Sequence, residues 1–147
     1  MGKREEYADT FREIQPKFSR LYANILGKVN LTLTQYVLLN QLHLSGTISM
    51  TEASKRIRIT KPAITHLVDK LEEKKLLKRL THPKDRRIVL LSIQPKGEKI
   101  VTGIHGYSLQ ILLSAYDLFN AAEQETISRF YSAISRALDN RLMESSK

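Results

Sequence analysis

The segment from Thr47 to Ile93 follows an order of sequence patterns that few folds accommodate. A β-branched triplet comes first, and two short helical stripes follow it, separated only by the tight turn Ile57-Arg58-Ile59. Two segments that alternate apolar and polar residues then flank the polar turn 82–87, which predicts a two-stranded hairpin. The order therefore predicts two short helices that lead directly into a hairpin.

Helical stripes also flank this segment on both sides. Pro16 lies inside the first stripe and predicts a kink or a late helix start, whereas Thr34 is the expected cap of the second helix. The chain is therefore expected to be mainly α, within the α+β class. The expected helices span about 7–27, 34–45, 50–56, 60–74, 95–117 and 123–143, and the expected strands span 47–49, 77–81 and 88–93.

Composition limits the classes of protein that remain. With 147 residues, of which 41% are hydrophobic and 27% charged, the chain fits one globular domain. It contains no cysteine, which excludes disulfides, thiolate metal sites and thiol-based redox sensing. No apolar run approaches the roughly 18 residues that span a bilayer, and no signal-peptide core is present. We therefore expect a soluble cytoplasmic protein that makes no contact with a membrane.

The positive charge of the chain is concentrated in one third of it. Between Met50 and Lys99 there are 14 Lys or Arg and 6 Asp or Glu, a net charge of +8 out of +9. The remaining residues are close to neutral. A field of this kind attracts a polyanion, most plausibly duplex DNA. The alternative is a basic protein that binds nucleic acid without sequence preference or binds an anionic membrane surface.

The second short helix is a candidate for insertion into a DNA groove. In a helix-turn-helix, the second helix lies in the major groove and its outward side chains touch base edges. Thr hydroxyls donate and accept hydrogen bonds, and His or Lys donates to guanine. Thr60 is also a natural N-cap, and Lys70 is equally well explained as a solvated charge. The predicted recognition-helix residues are Thr60, Lys61, Pro62, Thr65, His66 and Lys70, with Lys55 and Arg56 on the preceding helix as phosphate contacts.

The hairpin turn carries Lys84, Asp85, Arg86 and Arg87, which we predict to be a DNA-binding wing. An arginine at such a tip is suited to a narrow minor groove, where the potential is most negative. Asp85 repels phosphate, so we expect it to hold the turn in shape through an ion pair with Arg86, Arg87 or Arg79. A basic hairpin tip that is merely solvated is the alternative.

Taken together, these motifs resemble those of the multiple antibiotic resistance regulator (MarR) family. The similarity covers about 33–99, and the Asp-x-Arg pair formed by Asp85 and Arg87 is its most telling part. The flanking helices match by layout only. The matching motifs are Leu33-Thr34-Gln35, Met50-Thr51-Glu52-Ala53, the segment 59–72, Arg79, Pro83-Lys84-Asp85-Arg86-Arg87 and Pro95-Lys96-Gly97.

The resemblance implies a winged helix-turn-helix homodimer that binds a pseudo-palindromic operator and regulates transcription. Repression is the expected outcome, because a dimer across a promoter excludes polymerase, and activation is the alternative. It places the recognition helix at 60–72 and the minor-groove arginine at Arg87. Members of the family often release DNA when a small aromatic or anionic ligand occupies a cleft. The expected parts are an N-terminal dimerisation helix at 1–32, a DNA-binding domain at 33–94 and C-terminal helices at 95–147 that complete the dimerisation region.

Three residues depart from the usual family pattern. Lys75 replaces the glycine usually found after the recognition helix, so a different helix ending is expected there. His66 stands where an arginine is frequent, which affects base preference, and Gln94 stands where a threonine commonly caps the long helix.

The terminal helices carry broad apolar stripes that suggest dimerisation, although all helices could instead pack within one chain. The ligand cleft is less well marked, because each candidate in it, Tyr22, Lys28 or Tyr36, also suits a core or surface position. The residues expected at the dimer contact are Phe11, Ile14, Phe18, Leu21, Ile127, Phe130, Ile134 and Leu138.

Enzymatic and metal-dependent functions are not expected. The sequence has no phosphate-binding glycine loop, no His-Glu-x-x-His and no Gly-x-Ser-x-Gly. The four histidines are dispersed, although His43 and His105 could still meet in space. We therefore expect no cofactor, and no metal site is assigned.

Overall fold

The computed structural model describes residues 2–145. Within this range, no helix combines the length and the apolar character needed to cross a membrane. The elements are α1 (Lys3–Lys28), α2 (Leu33–Ser45), β1 (Ile48–Ser49), α3 (Met50–Ile57), α4 (Lys61–Glu73), β2 (Leu77–Thr81), β3 (Val89–Ile93), α5 (Pro95–Tyr116) and α6 (Ala121–Glu144).

The strands form a small antiparallel sheet in the order β1-β3-β2. In β3, Leu91 pairs with Ile48 of β1 on one side and with Arg79 of β2 on the other, and it is fully buried. The β2–β3 hairpin is the predicted one, and the predicted short strand before α3 is confirmed as its third partner. This pairing ties the start of the helix-turn-helix to the base of the hairpin.

The core of the first compact unit, which extends to Ile104, is made mainly of leucine. Burial of one such side chain contributes about 1.5–3 kcal/mol to the free energy of folding. Because the core takes residues from both helices of the helix-turn-helix and from the sheet, it fixes their mutual geometry. Its largest fully buried side chains are Leu38, Leu39, Leu42, Val68, Leu71, Leu76, Leu77, Leu91 and Val101, and Ala53 of α3 is fully buried as well.

The second compact unit starts at His105 and contains the rest of α5 and all of α6. The Asn120 side chain accepts a hydrogen bond from Glu123 N at 3.0 Å, and the Glu123 carboxylate accepts one from Asn120 N at 2.8 Å, so a capping box starts α6. No residue of α6 is buried, and its apolar side is exposed, with Phe130 at 44% and Leu138 at 57%.

Two expected helix starts are wrong. α1 begins at Lys3, where Gly2 N donates to the Glu5 carboxylate at 3.0 Å, and it continues through Pro16. A single proline removes one helical donor, and the turns on both sides still form. α2 is capped by Thr32 rather than Thr34, because Thr32 Oγ1 accepts from Gln35 N at 3.1 Å and Gln35 Oε1 accepts from Thr32 N at 3.0 Å.

The end of α4 also differs from expectation. Leu76 N donates to Leu71 O at 3.0 Å and Lys75 N donates to Glu72 O at 2.9 Å, which is the Schellman arrangement of a glycine-terminated helix. Lys75 has φ 60°, so it takes the left-handed conformation itself. The helix therefore ends in the same Schellman motif that a glycine would form, and Lys75 adopts a left-handed conformation that is strained for a residue with a side chain.

Candidate nucleic-acid interface

The turn between α3 and α4 is built by caps at both helices. Ser49 Oγ accepts from Glu52 N at 3.0 Å at the start of α3. The helix ends at Ile57, Arg58 after it has φ 57°, and Ile59 N donates back to Ser54 O at 3.1 Å. Thr60 Oγ1 then accepts from Ala63 N at 3.3 Å and starts α4, as its N-cap role predicted. The sharp reversal presents the start of α4 to solvent.

The two faces of α4 are clearly separated. Every predicted recognition-helix residue from Thr60 to Lys70 is exposed, while the opposite stripe is buried. Ala63, which the apolar periodicity places in the inward stripe, is exposed. The buried stripe consists of Ile64, Leu67, Val68 and Leu71.

The loop from His82 to Ile88 is held by a closed set of hydrogen bonds. His82 N donates to Ile88 O at 3.2 Å, and Ile88 N donates to Asp85 O at 3.1 Å. At the start of the loop, His82 Nδ1 accepts from Lys84 N at 3.1 Å and from Asp85 N at 3.2 Å. The loop thus has a defined shape although its side chains are mostly exposed.

Arg87 is the partner of Asp85. Its guanidinium donates from Nε to Oδ1 and from Nη2 to Oδ2, both at 3.0 Å, and its backbone N also donates to Oδ1 at 3.0 Å. The side-chain bond to Arg87, followed by the backbone bond, lowers the pKa of Asp85. The Arg87 side chain is still 90% exposed, so the carboxylate orients the guanidinium without removing it from solvent.

Arg79, the third candidate partner of Asp85, is used elsewhere. From β2 it donates to Asp69 Oδ1 at 2.5 Å and to Glu72 Oε1 at 2.8 Å, both on α4. Glu72 Oε2 also accepts from Arg79 N at 3.1 Å. These bonds connect the outward side of α4 to the hairpin. The angle between helix and wing is therefore stabilised by ion pairs as well as by the apolar core.

A cleft of about 650 Å³ lies between α3, the start of α4 and the wing. Lys61 and Thr65 border it from α4, and His82 and Arg87 border it from the wing. The side chains contributed by α3 and its cap are uncharged. The cleft therefore has cationic groups on two walls and hydroxyl groups between them, an arrangement that suits a phosphate backbone.

The two predicted phosphate contacts on α3 differ in their surroundings. Both Lys55 and Arg56 are exposed. Arg56 Nε donates to Glu52 at 2.8 Å and its Nη1 donates to Ser45 Oγ at 2.7 Å. Lys55 is therefore the better placed of the two to meet a phosphate group.

The predicted ligand-cleft residues fall in different environments. Tyr22 and Tyr36 are half-buried and pack against the core, whereas Lys28 is exposed. Burial, and secondly the proximity of Tyr22, raises the pKa of Tyr36. The structure thus brings the two tyrosines near each other.

His43 is engaged within the first unit. Its Nδ1 lies 2.5 Å from Glu98 Oε1, a contact between the end of α2 and the start of α5. Among residues 2–145, no cluster of three or more histidine, aspartate or glutamate side chains is arranged to hold a metal ion.

The predicted dimerisation residues are largely uncovered. On α1, Phe11 is 50% and Ile14 is 43% exposed, and Phe18 and Leu21 are half-buried. On α6, Ile127 and Ile134 are half-buried beside the exposed Phe130 and Leu138.

Sequence patterns missed two contributors to this site. At His82 the sequence pattern predicts only a turn, although a histidine before proline at the start of a turn offers a side-chain acceptor to the amides that follow. The brace from Arg79 to Asp69 and Glu72 joins residues seven to ten positions apart across a helix end, and only the folded geometry shows it.

The exposed second helix, the basic loop and the three-stranded sheet define a winged helix-turn-helix domain, as the sequence predicted. Residues 31–89 match the model of the MarR family. The protein MarR of Salmonella typhimurium is 32% identical over 108 residues, which cover 67% of this chain and 75% of that protein. The chain belongs to the MarR family, a family of transcription regulators.

Other relatives agree with this assignment. The HTH-type transcriptional regulator YhbI of Bacillus subtilis is 28% identical over 97 residues, which span 66% of this chain and 63% of the relative. A solved MarR family protein of Bacillus stearothermophilus has a TM-score of 0.76 at 23% identity, with 95% of this chain and 99% of that one covered. The MepR–DNA complex of Staphylococcus aureus has a TM-score of 0.72 at 21% identity, with coverages of 90% and 99%.

Proposed function

We propose that this chain is a sequence-specific regulator that binds duplex DNA as a homodimer on a pseudo-palindromic operator and represses transcription. The observation that carries the proposal is the joint presentation of the exposed face of α4 and of Arg87, which Asp85 orients at the edge of the same cleft. The fold it shares with MepR, which has been solved in complex with DNA, supports the same interpretation.

The predicted DNA-binding side chains fall into two groups, those that would contact base edges and those that would contact phosphates. Thr65 and His66 on the exposed face of α4 are the candidates for reading base edges. Lys55, Lys61, Lys84 and Arg86 are exposed cations that would contact phosphates, which fix position and carry most of the affinity. Arg87 would enter the minor groove of the same half-site.

The proposal of a homodimer is supported by the uncovered apolar faces. In α6, no residue is buried, yet the helix carries Phe130, Ile134 and Leu138 at helical spacing. Large exposed apolar patches commonly mark interaction sites, and a closed two-fold dimer would give the two recognition helices a spacing of about one DNA turn, roughly 34 Å.

The proposal also includes release of DNA by a small aromatic or anionic ligand, and a cytoplasmic location where the DNA is accessible. Tyr22 and Tyr36, which lie near each other beside the core, are the candidate contacts for an aromatic ring, with Lys28 as the candidate cation. A dimer that covers a promoter excludes polymerase, which is why repression is the proposed outcome.

The test is selection of duplexes from a random pool at near-physiological salt, with wild type, Arg87→Ala and Arg86→Ala. We expect wild type to enrich a palindrome. Both variants remove one positive charge, so both should lower the salt slope by about 0.9 for each phosphate that is no longer neutralised. Only Arg87→Ala should lower affinity for the selected operator by more than this shared charge effect. Enrichment of no sequence by wild type would leave a nonspecific basic protein, and equal reductions in affinity would place the wing's contact with DNA elsewhere.

A further inference from the structure

The side chain of His82 occupies an unusual position at the start of the wing. Its Nδ1 atom accepts two backbone hydrogen bonds, from Lys84 N at 3.1 Å and from Asp85 N at 3.2 Å. A ring nitrogen accepts only through its lone pair, so in this geometry Nδ1 carries no proton and the ring is neutral. Protonation of Nδ1 would turn it into a donor that faces the amide donors of Lys84 and Asp85, so both hydrogen bonds would be lost.

The consequence reaches the DNA-contacting arginine through Asp85. His82 holds the backbone of Asp85 at one end, and the Asp85 carboxylate holds Arg87 at the other with three bonds of 3.0 Å. Loss of the first link frees the backbone that aims the carboxylate. His82 therefore does not contact Arg87 through these bonds; it affects the orientation of Arg87 through Asp85.

We propose that His82 is a positioning residue that makes DNA binding by the wing sensitive to pH, with full binding while its ring is neutral and weaker binding once the ring is protonated. This inference rests on the proposed DNA-binding function. Histidine is the side chain that ordinarily changes its charge between pH 5 and 8.

The charges around the ring act in both directions. On the wing itself, Asp85 favours a protonated ring, while Lys84 and Arg87 oppose it. Across the cleft, Lys61 on α4 also opposes it, and the groups that α3 and its cap contribute are uncharged: Ser49, Met50, Thr51 and Ser54. Protonation would add one positive charge to the three of Lys84, Arg87 and Lys61, which is a small gain for phosphate binding. It would also break the two hydrogen bonds that shape the loop.

The matched variants are His82→Asn and His82→Ala. The carboxamide oxygen of asparagine accepts bonds from amides two and three residues ahead and does not titrate. Alanine removes the acceptor. Two ordinary hydrogen bonds correspond to roughly a tenfold change in affinity. We expect operator affinity of the wild type to fall several-fold more than that of His82→Asn between pH 7.5 and 5.5, with about tenfold as the limit for a fully protonated ring.

At pH 7.5, His82→Asn should bind like wild type and His82→Ala about tenfold more weakly. His66→Asn replaces the other histidine of the DNA-facing surface; it is expected to bind the operator more weakly at every pH, and the ratio of its affinities at pH 7.5 and 5.5 should match that of wild type. Equal pH profiles for wild type and His82→Asn would overturn the inference, and so would loss of the pH dependence in His66→Asn.

A second measurement needs no DNA. In the free protein, the backbone amide resonances of Lys84 and Asp85 should shift together during an NMR pH titration from 7.5 to 5.5 in wild type and remain still in His82→Asn. Amides that do not move in wild type overturn the inference, whatever the DNA result. If the amides titrate but wild type selects no duplex at pH 7.5, the proposed function fails while the behaviour of the loop stands.

Discussion

Gly97 allows the start of α5 to approach the end of the recognition helix, and this contact gives the sharpest stability prediction. A Cβ atom at Gly97 would lie 2.3 Å from the carbonyl oxygen of Leu76 and 3.0 Å from Ile93 Cγ1, where ordinary contacts begin at 3.4 Å. The Leu76 carbonyl cannot turn away freely, because it accepts from Gln94 N at 2.9 Å. Gly97→Ala therefore forces α5 outward by about 1 Å, as the gap between these distances requires.

Overpacking usually costs about 1–3 kcal/mol. Because the obstacle here is backbone that is itself hydrogen-bonded, we expect Gly97→Ala to lower the free energy of unfolding by about 3 kcal/mol, and the Tm by on the order of 10 °C. Gly103 in the same helix is the matched control, because, apart from the adjacent backbone of its own helix, no described atom lies within 4 Å of its Cβ position. Gly103→Ala should raise the free energy of unfolding by about 0.5–1 kcal/mol through helix propensity.

The measurement is urea denaturation followed by far-UV circular dichroism on both variants and wild type. The two alanines change the same helix in the same way, so opposite signs isolate the contact with Leu76. If Gly97→Ala unfolds at the same urea concentration as wild type, the close approach of α5 to Leu76 is refuted.

Two further predictions concern Lys75, a lysine in the left-handed conformation, and Asp85, the partner of Arg87. Lys75→Gly should raise the free energy of unfolding by about 1 kcal/mol in the same urea assay, because glycine adopts φ 60° without the strain that lysine bears; an unchanged midpoint would contradict this. Asp85→Asn removes a negative charge beside DNA, yet it should weaken operator binding several-fold in a fluorescence anisotropy titration, because Arg87 loses its bidentate partner. Tighter binding would mean that charge outweighs orientation.

Local sequence signals predicted much of the fold. Thr60 was expected to cap α4 and does so, and the hairpin strands agree with the alternation of apolar residues to within one position. These features depend on residues within a few positions of one another, so the capping and strand preferences of those residues predict them without the rest of the chain. The cap of α2 was missed although its signal is equally local, because Thr32 and Gln35 have the three-residue spacing of a capping box and Thr34 has no such partner.

The charged groups of the site required the folded geometry. The sequence left three arginines open as partners of Asp85, and the loop conformation selects Arg87 and assigns Arg79 to Asp69 and Glu72. Ion pairs of this kind follow from the direction of the backbone at each residue, which charge patterning does not encode.

The sequence by itself determined the order of the elements, the concentration of positive charge between Met50 and Lys99, and the exposed face of the recognition helix. Tertiary structure alone decided that His82 bonds the wing backbone, that Lys75 takes a left-handed conformation and that Gly97 touches the Leu76 carbonyl. The physical reason is range: periodicity and capping act within a few residues, whereas a bent loop, a strained φ angle and a backbone contact exist only after the leucine core has fixed how the segments meet.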